Sequence, residues 1–422
     1  MRAPRFPPRK VAKCSVEPYA AAGKARALRL AAAALYKWRK FWGACFGGNG
    51  GGMKRFLCVV GTRPEAIKMA PVILELSAHA QMTTLCSGQH TKLAEEPLKW
   101  FGITPDDTIK VAKSRTLATL TAALLPPLER MIAKHQPDVV VAQGDTTTVL
   151  AAALTAFYGG VPFAHVEAGL RTRNLRAPFP EEFNRVAADR LARWHFCPTR
   201  GAAANLRAEG IDPAHVYITG NTGIDALRLA LERLPPPPPN RRLRRILLTA
   251  HRRENQGSRM EAICRAIVAL VADFADIEFA IPVHPNPEVR ATFERLRVAH
   301  ERVRLMPPLS YPRLVAEMAR AHLIVTDSGG IQEEAPFLKK PVLVMRDVTE
   351  RPEAIELGVA RLVGAETAAI VGAVRELLTD PSVYARMAAG GSPYGDGYAA
   401  ERIGAVFGFG QGAASAAAGG AR

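Results

Sequence analysis

Three carboxylates, Asp145, Glu167 and Glu181, fall within one stretch of the chain, with a helical pattern at Thr147–Phe157 between the first two. Clustered carboxylates push each other's pKa values apart, which suits a proton donor and a proton acceptor working as a set. Plainer readings stand beside this one. Asp145, next to Thr146, can cap the following helix, and Glu181-Glu182 can simply open the helix that runs through Arg185 to Arg190. Arg63 and Arg351 carry planar donor forks that match diphosphate oxygens, although an arginine taken singly is usually a surface residue. His251 and His284 each follow an apolar run directly, as a structural or a reacting imidazole would. Asp327-Ser328-Gly329-Gly330 opens a helical stretch. Its free backbone N–H groups and hydroxyl suit an anion, and an ordinary N-cap explains it equally. Glu334, a turn further on, can accept from ribose hydroxyls or be a solvated charge on a helix face.

These residues share a setting. The runs Phe56–Val60, Val139–Ala142, Val161–Val166, Ile246–Thr249, Phe279–Val283, Leu323–Thr326 and Val342–Met345 read as buried strands, and helical patterns such as Glu65–Leu76 and Leu117–Lys134 lie between them. Strands alternating with helices imply βαβ units and parallel sheets, hence an α/β fold. In such sheets ligands bind beyond the carboxyl ends of the strands. Nearly every strand exit here carries charge, hydroxyl or imidazole, which points to a cleft where two sheets face each other. Five consecutive prolines, Pro235–Pro239, cannot continue a helix, so the segment from about Gly220 to Asn240 reads as the passage between two domains.

The net charge of +17 over 422 residues invites a nucleic-acid or membrane-surface reading. Its distribution argues against both. Residues 1–52 hold eleven Lys and Arg against one acid, a net +10, and the remaining 370 residues carry +7. The extension reads as disordered, as a transit-type peptide or basic arm, or as the product of a start codon placed upstream of Met53. No run of about 18 apolar residues indicates a transmembrane helix. The six cysteines form no CxxC pair, which argues against a zinc site or a disulfide framework and fits a reducing cytoplasm. Glycine fingerprints for nicotinamide binding, Walker loops, HExxH and GxSxG are absent. Taken by themselves, the residues describe a two-domain α/β protein with an interdomain cleft for a phosphorylated, nucleotide-linked ligand.

A resemblance sharpens this picture. Gly61-Thr62-Arg63-Pro64-Glu65-Ala66-Ile67-Lys68, Gly88-Gln89-His90, Gly144-Asp145-Thr146-Thr147-Thr148, His165-Val166-Glu167-Ala168-Gly169, Pro180-Glu181-Glu182, His251-Arg252-Arg253-Glu254-Asn255, Asp327-Ser328-Gly329-Gly330-Ile331-Gln332-Glu333-Glu334 and Thr349-Glu350-Arg351-Pro352-Glu353 resemble the non-hydrolysing UDP-N-acetylglucosamine 2-epimerases. The likeness runs in order over about residues 54–407. It implies two Rossmann-like domains in a GT-B arrangement, 53–222 and 223–394, with a helix at about 395–408 returning to the first and a disordered tail at 409–422. It implies interconversion of UDP-GlcNAc and UDP-ManNAc without cofactor or metal, by eliminating UDP to a 2-acetamidoglucal and adding it back, to supply ManNAc-type units for a surface polysaccharide. A UDP-sugar substrate and a cytoplasmic homodimer are implied as well. By position, Asp145, Glu167, Glu181 and His251 match the catalytic set. Arg63, His284, Ser328, Gly330, Glu334 and Arg351 match the UDP-binding set, and Lys68, Gln89, His90 and Arg185 match further cleft residues. Ala250, where glycine is common, and Leu314, where an aromatic is common, depart from the pattern without removing a functional group. The same 2-epimerisation on a more decorated UDP-acetamido sugar, and a GT-B glycosyltransferase, remain open alternatives.

Overall fold

The computed structural model describes residues 53–89, 91–111, 116–236, 243–283, 287–297 and 300–409. The basic extension at 1–52, His90, His284, Pro237–Pro239 and the tail from 410 onward lie outside these. In chain order the first half runs β1 (Arg55–Val60), α1 (Arg63–Ser77), β2 (Gln81–Cys86), α2 (Thr91–Trp100), β3 (Asp107–Thr108), α3 (Leu117–His135), β4 (Val139–Gln143), α4 (Thr147–Tyr158), β5 (Phe163–Val166), α5 (Glu181–Leu191), β6 (Trp194–Cys197), α6 (Arg200–Ala208), β7 (Val216–Ile218) and α7 (Thr222–Arg233). The second continues with β8 (Arg244–Thr249), α8 (Ser258–Asp273), β9 (Ile277–Pro282), α9 (Pro287–Arg297), β10 (Val303–Met306), α10 (Tyr311–Arg320), β11 (Leu323–Thr326), α11 (Gly329–Glu334), β12 (Val342–Val344), α12 (Pro352–Glu356), β13 (Ala360–Leu362), α13 (Thr367–Thr379), α14 (Pro381–Ala389) and α15 (Ala399–Val406).

Seven strands pair in parallel in the order β3-β2-β1-β4-β5-β6-β7, and six in the order β10-β9-β8-β11-β12-β13. Central strands such as Val139–Gln143 and Leu323–Thr326 are buried at every position, because helices cover both faces of each sheet. The two orders share one logic: the strand sequence reverses between β1 and β4, and again between β8 and β11. At such a reversal the loops part and leave a crevice at the carboxyl edge. The loops after β1, β4, β8 and β11 are the segments that carry Arg63, Asp145, His251 and Ser328.

The stretch read from sequence as a simple passage contains α7. Its buried face, including Ile224, Leu227 and Ala230, belongs to the same core as Phe56 and Ile73 of the first half and Tyr311, Val315 and Ile331 of the second. The two halves therefore share apolar packing and are not merely tethered. Asn221 caps α7, its side chain accepting from the Gly223 N–H at 2.8 Å. Near the end of the described chain, α15 lies against α1 and α7. Asp225 accepts from the Ala400 N–H at 2.7 Å, Lys54 donates to the Phe407 carbonyl at 2.9 Å, and the Phe407 ring sits 4.9 Å from Phe56 and 5.2 Å from Trp194. Phe409 adds a ring 6.2 Å from Phe56. No helix among the described residues is long and apolar enough to cross a membrane.

Candidate active site

At the β1 exit the backbone needs room. A Cβ on Gly61 would lie 2.3 Å from Thr148 Oγ1, so only glycine lets the starts of α1 and α4 approach this closely. The buried Glu65 carboxylate turns back to accept from the Gly61 N–H at 2.6 Å and the Thr62 N–H at 3.2 Å, which satisfies two free donors at the start of α1. Burial raises its pKa above the usual carboxylate value. With α1 fixed this way, Arg63 reaches across and donates to the Leu309 carbonyl at 2.7 Å, ahead of α10.

Lys68, further along α1, sits at the centre of a mixed-charge cluster. Its Nζ lies 2.6 Å from Glu167 Oε1 of the first half and 3.0 Å from Glu333 Oε2 of the second. Burial would lower the Lys68 pKa, yet the charges of Glu167 and Glu333 hold it above its ordinary value, so the group stays an ammonium. Glu333 also accepts from Asn221 Nδ2 at 2.9 Å and pairs with Arg351 Nη2 at 2.8 Å. Arg351 in turn holds Glu350 at 3.0 Å. Burial would raise the Glu333 pKa, but Lys68 and Arg351 bring it below the usual value. Burial likewise opposes ionisation of Glu350, but Arg346 and then Arg351 draw its pKa down to about 2. Glu167 carries a φ of +66°, rare for a residue with a side chain, and Gln143 Nε2 donates to its second oxygen. Glu167, Asn221, Glu333, Glu350, Arg351 and Tyr394 line a small pocket.

Asp145 and Arg185 form a second unit. Arg185 Nη2 lies 2.9 Å from Asp145 Oδ2, and Asn184 Nδ2 donates to the Asp145 carbonyl at 2.9 Å. Gln89 accepts from the Thr148 hydroxyl at 2.8 Å, beside the same loop. Glu181 is half-buried at the first position of α5, while its neighbour Glu182 is buried and accepts from the Thr172 and Arg173 N–H groups, both at 2.9 Å. Among the described residues no bond joins Asp145 or Glu181 to the Lys68 cluster. The strand register nevertheless sets Asp145 and Glu167 at neighbouring exits, since Gln143 pairs with Val166.

The second half contributes a different kind of surface. His251 Nδ1 lies 3.0 Å from Asp327 Oδ1, and Asp327 Oδ2 accepts from the His251 N–H at 2.8 Å, the Arg252 N–H at 2.9 Å and Asn255 Nδ2 at 3.1 Å. Burial opposes ionisation of Asp327, but these donors and His251 bring its pKa below the usual range. Ser328 N–H donates to Thr326 Oγ1 at 2.9 Å, and the Ser328 hydroxyl makes no capping bond to α11. A Cβ on Gly329 would fall 2.8 Å from the Arg351 guanidinium carbon, whereas Gly330 faces open space. Buried Glu334 has its pKa pushed up to about 8 by desolvation and by the charge of Glu333. The Tyr311 hydroxyl, also buried, is close enough for the charge of Glu334 to help raise its own pKa. His90 and His284 lie outside the described residues.

The arrangement thus brings Lys68, Glu167 and Arg351 together, pairs Asp145 with Arg185 and backs His251 with Asp327. Sequence reasoning missed Glu333, Asn221, Gln143 and Glu350. Glu333 stood in a quoted motif, but only its neighbour Glu334 was singled out there. The signal that could have found it was position: it lies in the short helix that opens with Gly329-Gly330 directly after the β11 exit.

Two parallel sheets of matching strand order, with cations and carboxylates meeting beyond their carboxyl edges, define a two-domain α/β enzyme of the GT-B type. The profile of the UDP-N-acetylglucosamine 2-epimerases matches residues 74–408. The chain is similar to the UDP-N-acetylglucosamine 2-epimerase of Bacillus subtilis, with 43% identity over 83% of this chain and 93% of that one. To the enzyme of the same description from Escherichia coli it is 43% identical, over 83% of this chain and 97% of the other. The crystal structure of the Neisseria meningitidis UDP-GlcNAc 2-epimerase bound to UDP-GlcNAc superposes with a TM-score of 0.78 at 41% identity, covering 84% of this chain and 99% of that one. The chain therefore belongs to the UDP-N-acetylglucosamine 2-epimerase family and is an isomerase.

Proposed function

We propose that the protein interconverts UDP-GlcNAc and UDP-ManNAc without hydrolysis, by anti-directed elimination and re-addition of UDP. One carboxyl removes the C2 proton. The C–H electrons form the C1=C2 bond as the C1–O bond breaks toward the β-phosphate, leaving a 2-acetamidoglucal. A second carboxyl returns a proton to the opposite face of C2, and UDP adds back at C1. The C2 proton is not acidified by a carbonyl, so its removal must be coupled to departure of a well-stabilised UDP. Base, acid and cationic clamp are all needed at once. Asp145, Glu167 and Glu181 supply the proton-transfer groups, with His251 contributing from the other sheet. Arg63, Arg351, Ser328, Gly330, Glu334 and, by position, His284 hold UDP. Lys68, Gln89, His90 and Arg185 line the cleft. The product is a precursor of ManNAc-containing surface polysaccharide.

The observation that supports this reading is the Lys68 bridge, 2.6 Å to Glu167 and 3.0 Å to Glu333, which joins the carboxylate proposed here to move protons in one half to the Glu333–Arg351 pair of the other. Its relatives' names and the UDP-GlcNAc bound to the Neisseria meningitidis protein point the same way. Incubation with UDP-GlcNAc alone in deuterated water, followed by NMR, tests it. UDP-ManNAc bearing deuterium at C2 is expected. Epimerised product without deuterium at C2, or no product without an acceptor, would overturn it.

A further inference from the structure

His165 is the third residue of β5 and is wholly buried. Its Nδ1 lies 2.6 Å from Asp189 Oδ1, and its Nε2 lies 2.7 Å from the Gly144 carbonyl oxygen. A carbonyl can only accept, so Nε2 carries a proton. The Asp189 carboxylate is itself held ionic, because its other oxygen lies 2.8 Å from Arg171 Nη2 and accepts from the Gly169 N–H at 3.2 Å. Nδ1 therefore carries a proton as well, and the ring is an imidazolium. Burial would lower its pKa, but the Asp189 charge and bond, with the Gly144 carbonyl, hold it above the ordinary value; Asp189 shifts downward in concert. The other groups facing the pair are Arg171, which Glu209 balances at 2.7 Å, and His195, whose Nε2 lies 2.8 Å from the Asp189 carbonyl.

What this imidazolium joins is the point of interest. Gly144, at φ +89°, is the residue before Asp145. Asp189 lies on α5, the helix that starts with Glu181 and supplies Arg185 and Asn184 to Asp145. His165 itself is two residues before Glu167, and the turn beyond Glu167 is tied to the same Asp189 through the Gly169 N–H. Three separate segments, each carrying one carboxyl of the site, meet at one buried ring.

We propose that His165 is a positioning residue of the reaction, its two donated bonds fixing the relative placement of the segments that carry Asp145, Glu167 and Glu181. The proposal rests on the reading that these carboxyls move protons at the sugar. Among the described residues the hydrogen bonds and ion pairs of His165 and Asp189 all stay within the first half, so UDP affinity should be separable from the pair. Misplacing a reacting group by an ångström can cost about 10²-fold in rate.

The test uses the full chain with His165→Gln, which keeps one donor, and Asp189→Asn, which keeps the shape but removes the charge. Turnover per correctly folded site, UDP affinity, and the ratio of released 2-acetamidoglucal to epimerised product are measured for each. For His165→Gln the expectation is a fall in kcat of about 10²-fold, KM and UDP affinity within threefold, and a higher proportion of released glucal. Asp189→Asn is expected to lose about tenfold in the same pattern. A folded variant with kcat within threefold of the parent, or an equal loss of UDP affinity, would overturn the proposal. Should His165→Gln not fold, Asp189→Asn and ¹⁵N NMR of the parent decide. Both ring nitrogens of His165 are expected to be protonated from pH 6 to 8, and a neutral single tautomer would overturn it. Failure of the parent itself to exchange the C2 proton would instead sink the underlying reading.

Discussion

Both sheets anchor their carboxyl edges on a buried aspartate, but they do so by different chemistry. In the first half Asp189 is surrounded by charge, with His165 at 2.6 Å and Arg171 at 2.8 Å. In the second, Asp327 accepts from backbone and amide donors at 2.8, 2.9 and 3.1 Å and meets one imidazole. The surfaces these anchors support differ accordingly. The first half presents the carboxyls of Asp145, Glu167 and Glu181. The second presents backbone donors, glycines and Arg351. On the proposed reading, the edge that moves protons keeps its acids in register through ion pairs, where the cost of a displaced charge is steep. On the same reading, the edge that receives a diphosphate is built from fixed dipoles and cations that need only face the ligand.

If that division holds, the two halves can be broken independently. The largest effect is expected from Asp145→Asn, Glu167→Gln and Glu181→Gln. Each should lower kcat by about 10²–10⁴-fold with UDP affinity, measured calorimetrically, within a few-fold of the parent. Loss of UDP affinity in a folded Asp145→Asn protein would make that residue part of the ligand clamp. Next comes Arg351→Ala, which should weaken UDP binding by about 10²-fold, the scale of a lost charge-assisted bidentate contact. Gly329→Ala is a subtler probe of the same cation. Its Cβ would press to 2.8 Å on the guanidinium carbon, so UDP affinity should fall by about tenfold while C2 exchange at saturating substrate changes little.

The smallest effect concerns pH. The folded pKa of Glu334 is raised to about 8 from 4.5, so the folded protein holds a proton that the unfolded chain releases. Stability from this group is complete below about pH 4.5 and is lost progressively as the pH rises toward 8. Gln does not titrate. Glu334→Gln should therefore raise Tm over the parent by a few degrees more at pH 8.5 than at pH 5, read by scanning calorimetry without ligand. A Tm difference independent of pH would mean the carboxyl does not titrate in this window.

Much of this was legible in the chain. Central strands such as Leu323–Thr326 announced themselves as short apolar runs, and the loaded strand exits pointed to the edge where ligands sit. Edge and short strands were not legible. Gln81–Cys86 begins with polar residues that become buried only toward its end, and Ala360–Leu362 is too short to show a period. The helix within 220–240 was hidden because the prolines that follow dominate the composition, while its amphipathic face is readable only against α1 and α10. At the site, types and positions singled out Lys68, Asp145 and Arg351 through the family likeness. The carboxylate that sets the state of Lys68 and Arg351, Glu333, lies 265 residues beyond Lys68, and Asn221, which donates to it, lies 153 residues beyond; Glu333 meets both only when the two halves close together. Spacing along a chain carries no trace of such a meeting.

The return of α15 to β1 also has a consequence in time. Lys54 waits for the Phe407 carbonyl across 353 residues of sequence. A ribosome adding 5–20 residues per second needs roughly 20–70 s to cover that distance. For that interval the first sheet exists with Phe56 and Trp194 uncovered, so the half that is made first is the half that is finished last. Chains that lose their final fifteen or so described residues should therefore fail at the beginning of the fold, and newly made first halves are the natural clients of holding chaperones.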